Sequence, residues 1–254
     1  MKLHFKTFGE GQPFIILHGL FGSSDNWQTH AKKLAEYYKV YVVDQRNHGM
    51  SEWSNEFSYE IMASDLKELV EDEGLSDFIL MGHSMGGKTA MTFAQKHEEL
   101  INKLIVVDMG VKSYPIHHDR ILEGLKSLDL SKIASRGEAS EVLGSYINNA
   151  AIRQFLLKNL YWKEKGQLAW RINIPVLDEK LPEIVSALPE KEILTPTLFM
   201  RGGQSDYVND EDISHIQELF PISEIYTIEK AGHWIHAEAP EEFIEKVLSF
   251  GLRG

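Results

Sequence analysis

The segment Phe78–Gly87 reads FILMGHSMGG, an apolar run followed by the pattern G-x-S-x-G centred on Ser84. The apolar run has the length and composition of a buried strand, and the residues after it show helical spacing. A serine at such a strand-to-helix turn forms a nucleophile elbow. The turn forces strained backbone angles on the serine, and side chains at Gly82 and Gly86 would collide with it. The segment therefore predicts a nucleophilic hydroxyl lifted clear of a strand end.

Further short apolar runs lie on both sides of the elbow. They are rich in β-branched residues and do not alternate with polar ones, which indicates strands buried on both faces, as in a parallel sheet. Segments with helical spacing separate them, and this alternation predicts an α/β fold with an open, mostly parallel sheet flanked by helices. The predicted strands are Phe14–Leu17, Val40–Val43, Phe78–Met81, Leu104–Val107, Thr197–Met200 and Ile225–Ile228, and a last helix is predicted to begin at Pro240.

The alternation of predicted strands and helices stops after Asp108, where the spacing of apolar residues becomes helical. The next predicted strand is Thr197–Met200. We therefore predict one core domain, residues 1–111 and 189–254, interrupted by a helical insertion of residues 112–188. An insertion at this point would lie above the strand ends, where sheets of this kind bind ligands. We expect it to form a cap.

A serine hydroxyl needs a base, and the chain offers 11 histidines. In α/β enzymes with this elbow, the order along the chain is nucleophile, acid, histidine. His233 follows the last predicted strand and lies in a loop from which it could reach the sheet end. His236 lies nearer the final helix and fits a structural hydrogen bond better. His233 is the predicted base.

Acyl transfer also needs hydrogen-bond donors for the developing oxyanion. One predicted donor is the backbone N–H of Met85, the residue after the nucleophile. The other belongs to the loop HGLFG, His18–Gly22, which follows the first predicted strand. Leu20 is the predicted residue because it follows the His-Gly turn, and Phe21 is the alternative.

Charge and composition exclude several classes of partner and site. The formal net charge is −12, with no cluster of Lys and Arg, which argues against nucleic acid as a partner. The chain has no cysteine, which excludes disulfides, thiolate metal sites and a cysteine nucleophile. No export signal and no apolar stretch of about 18 residues is found, so we expect a cytoplasmic protein that does not span a membrane.

Four motifs in order resemble those of the α/β-hydrolase superfamily, and together they look like the YbfF-like bacterial esterases. The resemblance covers the whole chain and implies the α/β-hydrolase fold. It also implies a cofactor-free esterase or thioesterase that acts on a small acyl ester or an acyl-CoA. The motifs are HGLFGS at His18–Ser23, DQRNHGMS at Asp44–Ser51, GHSMGGK at Gly82–Lys88 and AGHWIHAE at Ala231–Glu238.

The acid of the triad departs from the commonest pattern of that superfamily, which places it after the penultimate strand. Ser205 occupies that place here, and Asp206 comes one residue late. The alternative is Asp108, which ends the strand after the nucleophile strand. Neighbouring strands lie only about 4.8 Å apart, so a carboxylate there can reach the same imidazole. The YbfF-like resemblance implies this position too. Asp108 is therefore predicted ahead of Asp206, with Ser205 as its hydrogen-bond partner.

Several aromatic residues are candidates for an apolar acyl pocket. They are Phe21, Tyr114, Phe155, Trp162, Tyr207 and Trp234.

The leading interpretation is a serine esterase that works through an acyl-enzyme. Ser84 argues against dehalogenases and epoxide hydrolases, which use an aspartate at this position. A perhydrolase or carbon–carbon bond hydrolase keeps the serine and is an alternative, as is a ligand sensor with little turnover.

Overall fold

The strands predicted around Ser84 pair into a single sheet. A computed structural model describes residues 1–116 and 118–253 of the chain. Within them the main sheet has seven strands in the order β1-β3-β2-β4-β5-β8-β9, and a separate two-stranded sheet pairs β6 with β7. The strands are β1 His4–Phe8, β2 Pro13–Leu17, β3 Lys39–Asp44, β4 Phe78–His83, β5 Ile101–Val107, β6 Leu160–Glu164, β7 Gln167–Trp170, β8 Thr197–Gly202 and β9 Ser223–Ile228.

Helices connect these strands and cover the sheet. The last of them begins at Pro240, as predicted, where the fixed backbone of proline suits the first turn. The helices are α1 Gln28–Leu34, α2 Tyr59–Asp72, α3 Met85–His97, α4 Asp119–Ser127, α5 Arg136–Gly144, α6 Ala150–Leu157, α7 Ile174–Glu179, α8 Leu181–Ile184, α9 Asp210–Leu219, α10 Ile235–Glu238 and α11 Pro240–Gly251.

The main sheet is parallel except at one edge, where β1 pairs antiparallel with β3. Side chains of a strand point alternately to opposite faces, and β2 shows the consequence. Ile15 and Leu17 join the apolar cluster that contains α2 and α3, whereas Phe14 and Ile16 join the cluster that contains α1 and α11. Both faces are thus covered, which explains why the strands read as continuous apolar runs.

The register of β4 and β5 aligns the two strand ends that matter for the site. His83 of β4 is the Cα partner of Val107 of β5. The next residues are Ser84 and Asp108, so both leave the sheet at the same level on neighbouring strands. The backbone N–H of Ser84 donates to the carbonyl oxygen of Val107 at 3.0 Å.

The segment between β5 and β8 contains α4–α8 and the hairpin β6–β7, and its described residues add no strand to the main sheet. The hairpin was not predicted, and neither was the edge strand β1. The two ends of this segment are hydrogen-bonded to each other. Tyr114 N–H donates to Val185 O at 2.8 Å, and Leu188 N–H donates to Val111 O at 2.8 Å.

No helix within residues 1–116 and 118–253 combines the length and the apolar character needed to cross a bilayer.

Candidate active site

Ser84 lies in the turn between β4 and α3, with φ 53° and ψ −119°. This left-handed region is costly for a residue with a side chain and is typical of functional turns. The flanking glycines permit the turn. A Cβ added at Gly82 would overlap the carbonyl oxygen of Gly86, and one added at Gly86 would overlap that of Leu17. The sequence pattern thus has a direct steric cause.

His233 lies in the loop between β9 and α10 and reaches both other candidate residues. Its Nε2 is 3.0 Å from Ser84 Oγ, and its Nδ1 is 2.7 Å from Asp108 Oδ2. A carboxylate only accepts hydrogen bonds, so the contact favours the tautomer with the proton on Nδ1. Nε2 is then free to accept the serine proton. The structure therefore brings together the three residues predicted as a triad.

Asp108 is fully buried, at 0% exposed, and both of its carboxyl oxygens are hydrogen-bonded. Oδ1 accepts from the Gly202 backbone N–H at 3.0 Å, and Oδ2 accepts from Ser205 Oγ as well as from the His233 ring. Asp206 is exposed and has no contact with the imidazole among the described residues. Of the two candidate acids, the structure brings only Asp108 to the base.

The two predicted oxyanion donors border the same cavity as Ser84. Within the described residues, the backbone N–H groups of Leu20 and Met85 donate to no protein acceptor, which leaves both available. Phe21, the alternative, differs because its N–H donates to His48 Nε2 at 3.2 Å. The arrangement therefore favours Leu20 over Phe21.

Two buried histidines hold the loop that carries the base. His83 Nε2–H donates to the carbonyl oxygen of His233 at 2.8 Å, and His30 Nε2–H donates to that of His236 at 2.9 Å. The His236 ring stacks on Trp27 with centroids 4.2 Å apart. Burial lowers the pKa of His83 to about 3, so this side chain is neutral near pH 7. This support was not predicted from the sequence, because the bonded residues lie 150 and 206 positions apart along the chain.

A cavity of about 240 Å³ opens beside Ser84. Its lining is mainly apolar, and α4 and α6 supply four of the lining residues, Ile121, Ile152, Phe155 and Leu156. Four of the aromatic residues predicted to line an acyl pocket border this cavity. Tyr114 borders a smaller cavity, which also contacts Ser84. Trp162 borders neither cavity, and its side chain on the hairpin is 49% exposed. The four that border the cavity of about 240 Å³ are Phe21, Phe155, Tyr207 and Trp234.

Known proteins resemble this chain in sequence and in fold. A family model described as the alpha/beta hydrolase fold matches residues 12–131. The sn-1-specific diacylglycerol lipase ABHD11 of Mus musculus is 38% identical over 245 residues, which cover 93% of this chain and 80% of that protein. The chain belongs to the α/β hydrolase family.

Esterases are among the relatives of this α/β hydrolase. Esterase YbfF of Escherichia coli is 33% identical over 239 residues, covering 94% of this chain and 92% of that protein. The solved structure of an esterase from a marine microorganism superposes with a TM-score of 0.95 at 44% identity, covering 98% of this chain and 99% of the other. This α/β hydrolase is a serine ester hydrolase, and the resemblance to the YbfF-like esterases is confirmed.

Proposed function

We propose that Ser84, His233 and Asp108 form the catalytic triad of this esterase, which hydrolyses acyl esters and acyl thioesters through a covalent acyl-enzyme. The observation that carries the proposal is the continuous chain of contacts from Asp108 Oδ2 through the imidazole to Ser84 Oγ, at 2.7 Å and 3.0 Å. Both distances lie in the range required for proton transfer between a nucleophile and its base.

The first half-reaction forms the acyl-enzyme. His233 Nε2 removes the proton of Ser84 Oγ as this oxygen attacks the carbonyl carbon, and the carbonyl oxygen becomes an oxyanion. The N–H groups of Leu20 and Met85 stabilise that negative charge, while Asp108 stabilises the imidazolium. The tetrahedral intermediate collapses, the bond to the alcohol or thiol breaks, and the leaving group takes the proton from His233.

The second half-reaction releases the acid. His233 removes a proton from water, the hydroxide attacks the acyl carbon, and the bond to Ser84 Oγ breaks as the proton returns to this oxygen. The same donors serve both tetrahedral intermediates because the carbonyl oxygen occupies the same place.

The cavity beside Ser84 supports the proposed substrate class. An apolar lining formed by residues such as Phe21, Phe155 and Trp234 suits an acyl chain, and removing such a chain from water is favourable. We propose that residues 112–188 act as a cap over residues 1–111 and 189–254, since α4 and α6 supply Ile121, Ile152 and Phe155 to this lining. The lipase and esterase names of the relatives support the same class of small acyl esters; acyl-CoA is part of the proposal.

Purified protein tests the proposal with p-nitrophenyl esters of increasing chain length and with acyl-CoA thioesters. We expect turnover of both classes and an acyl adduct on Ser84 detectable by mass spectrometry after rapid acid quenching. Ser84→Ala should lower kcat by up to about a million-fold, as in other triad enzymes. Most of the activity surviving in this variant would reject the mechanism. Ligand binding without turnover by the wild-type protein would favour a sensor.

A further inference from the structure

The β-turn of residues 19–22, which carries the Leu20 N–H, holds a bulky residue in an unfavourable conformation. Gly22 N–H donates to Gly19 O at 2.9 Å and closes the turn. Phe21, at its third position, has φ 60°. Glycine is the usual residue at such a position, because a side chain makes this backbone region costly. Contacts from outside the turn must therefore hold Phe21 in this conformation.

Two buried side chains hold Phe21 from opposite sides. Its N–H donates to His48 Nε2 at 3.2 Å, and its carbonyl oxygen accepts from Asn159 Nδ2 at 2.8 Å. Burial lowers the pKa of His48 to about 3, so this ring is neutral and its Nε2 stays an acceptor. His48 lies in the loop after β3, whereas Asn159 lies between α6 and β6. The segment between β5 and β8 thus contributes one of the two contacts.

Asn159 is itself fixed at the base of the hairpin β6–β7. Its Nδ2 also donates to Leu156 O at 3.1 Å, and its carbonyl oxygen accepts from the Arg171 N–H at 2.8 Å. The residue is 3% exposed, and it borders neither of the two cavities beside Ser84. Any effect of Asn159 on the reaction must therefore pass through the turn.

The bond from Asn159 reaches the Leu20 N–H through two peptide groups. A trans peptide points its N–H opposite to its C=O, so a bond that fixes one also fixes the other. Asn159 holds the carbonyl oxygen of Phe21 and thereby directs the N–H of Gly22. That N–H donates to Gly19 O, which belongs to the same peptide group as the Leu20 N–H. The direction of the Leu20 N–H thus depends on a side chain outside the turn.

We propose that Asn159 is a positioning residue for the oxyanion hole, which fixes the direction of the Leu20 N–H through the turn of residues 19–22. The segment between β5 and β8 then contributes to transition-state stabilisation as well as to the acyl cavity. The inference rests on the proposed function, since it requires that the Leu20 N–H stabilises the oxyanion.

Asn173 offers a matched control on the other side of the hairpin. It is buried like Asn159, and its Nδ2 donates to Asn47 Oδ1 at 3.0 Å. Its backbone N–H donates to Asn47 O, also at 3.0 Å. Asn173 therefore docks the same segment onto a core loop through the same chemical group, but it does not bond to the turn of residues 19–22.

Two serine variants test the proposal. In Asn159→Ser the hydroxyl can bond to the Leu156 carbonyl three residues earlier, but it is too short to replace the amide at Phe21 O. We expect kcat for p-nitrophenyl acetate to fall by about tenfold to a hundredfold, because a misplaced donor loses much of what removal of a donor loses. KM should stay unchanged, since the interaction is made only in the transition state. Asn173→Ser should keep kcat close to the wild-type value.

A trifluoromethyl ketone with an octyl chain separates positioning from a general loss of structure. Ser84 Oγ adds to its carbonyl carbon, the proton of Oγ passes to His233, and the carbonyl oxygen becomes an oxyanion with no group leaving. The inhibition constant Ki should therefore rise in Asn159→Ser by the factor by which kcat/KM falls. Partial unfolding would lower kcat without changing Ki, so the test remains valid on whatever fraction of the variant folds.

The outcomes that overturn each claim are distinct. An unchanged Ki in Asn159→Ser, or equal losses of kcat in Asn159→Ser and Asn173→Ser, would overturn the role of Asn159 and leave the esterase function intact. Failure of the wild-type protein to hydrolyse p-nitrophenyl acetate would reject the proposed function itself, and the role of Asn159 with it.

Discussion

The ring of Tyr207 stacks on the ring of His233, with centroids 3.9 Å apart and planes inclined by 16°. On another side of the imidazole lies His83, with centroids 4.8 Å apart. A stacked aromatic ring restricts rotation of the imidazole and is placed to stabilise the positive charge that forms on it during catalysis. Tyr207 thus contacts the proposed base as well as the cavity.

Replacing Tyr207 tests this contact. Tyr207→Leu keeps apolar volume but removes the π face, so we expect kcat to fall by about tenfold. Tyr207→Phe keeps the ring and should retain the wild-type kcat. Equal kcat values for the Leu and Phe variants, measured with p-nitrophenyl acetate, would contradict a role for the stack.

The choice of acid is tested by two matched substitutions. Asp108→Asn should lower kcat by up to about ten-thousand-fold, as the equivalent change does in a serine protease, because an amide can hold the wrong imidazole tautomer. Asp206→Asn should have little effect, since Asp206 is exposed. Steady-state kinetics on one ester substrate measure both.

The buried Asp108 carboxyl also accepts hydrogen bonds from the Gly202 N–H and the Ser205 hydroxyl, so its substitution can lower activity by destabilising the fold. Circular dichroism of Asp108→Asn checks that the variant is folded. A large loss in Asp206→Asn with a small one in Asp108→Asn would reverse the assignment. A moderate loss of kcat in each single variant, with a full loss in the double variant, would show that either carboxylate can serve when the other is missing.

Buried histidines make the fold sensitive to acid. Burial lowers the pKa of His48 and of His83 to about 3, whereas a histidine in the unfolded chain titrates near 6.5. Between these values the unfolded state binds more protons, so stability falls as pH falls from about 6.5 toward about 3. Each such histidine contributes roughly 1.4 kcal/mol per pH unit to this loss.

Urea unfolding at about pH 7 and about pH 5 measures the effect in a range where most carboxylates stay ionised. His83→Gln removes one of the titrating groups, so its free energy of unfolding should fall by about 2 kcal/mol less than that of the wild type between the two pH values. Equal losses in the two proteins would show that His83 takes up its proton without unfolding.

The elbow glycine Gly86 offers a test of sterics. Gly86→Ala places a Cβ against the carbonyl oxygens of Leu17 and His18, so we expect destabilisation of about 2–3 kcal/mol or more and loss of activity. Gly144→Ala is the control because nothing lies within 4 Å of its added Cβ. Gly144 ends a helix, where alanine should be neutral or stabilising by up to about 1 kcal/mol. Thermal unfolding measures the change in Tm of both variants relative to the wild type. Equal changes in the two variants would contradict the steric explanation.

Most strands of the main sheet, and the turn that carries Ser84, could be predicted from the sequence alone. These features are local: a buried parallel strand must be apolar along its whole length, and the elbow needs glycine at Gly82 and Gly86. The edge strand β1 and the hairpin β6–β7 escaped prediction because their burial is partial, so their residues carry no continuous apolar signal.

Which carboxylate contacts the base, and which residues hold the base in place, depends on contacts that form only in the folded chain. Sequence order left Asp108 and Asp206 open, because the choice depends on strand register, a matter of pairing between distant segments. Asp108 meets His233, 125 residues away, and His83 bonds to the His233 carbonyl across 150 residues. The same holds for Asn159, whose bond to the turn of residues 19–22 spans 138 residues. Local patterns determine local conformation, whereas hydrogen bonds between remote residues exist only once the packed chain brings donor and acceptor to within about 3 Å of each other.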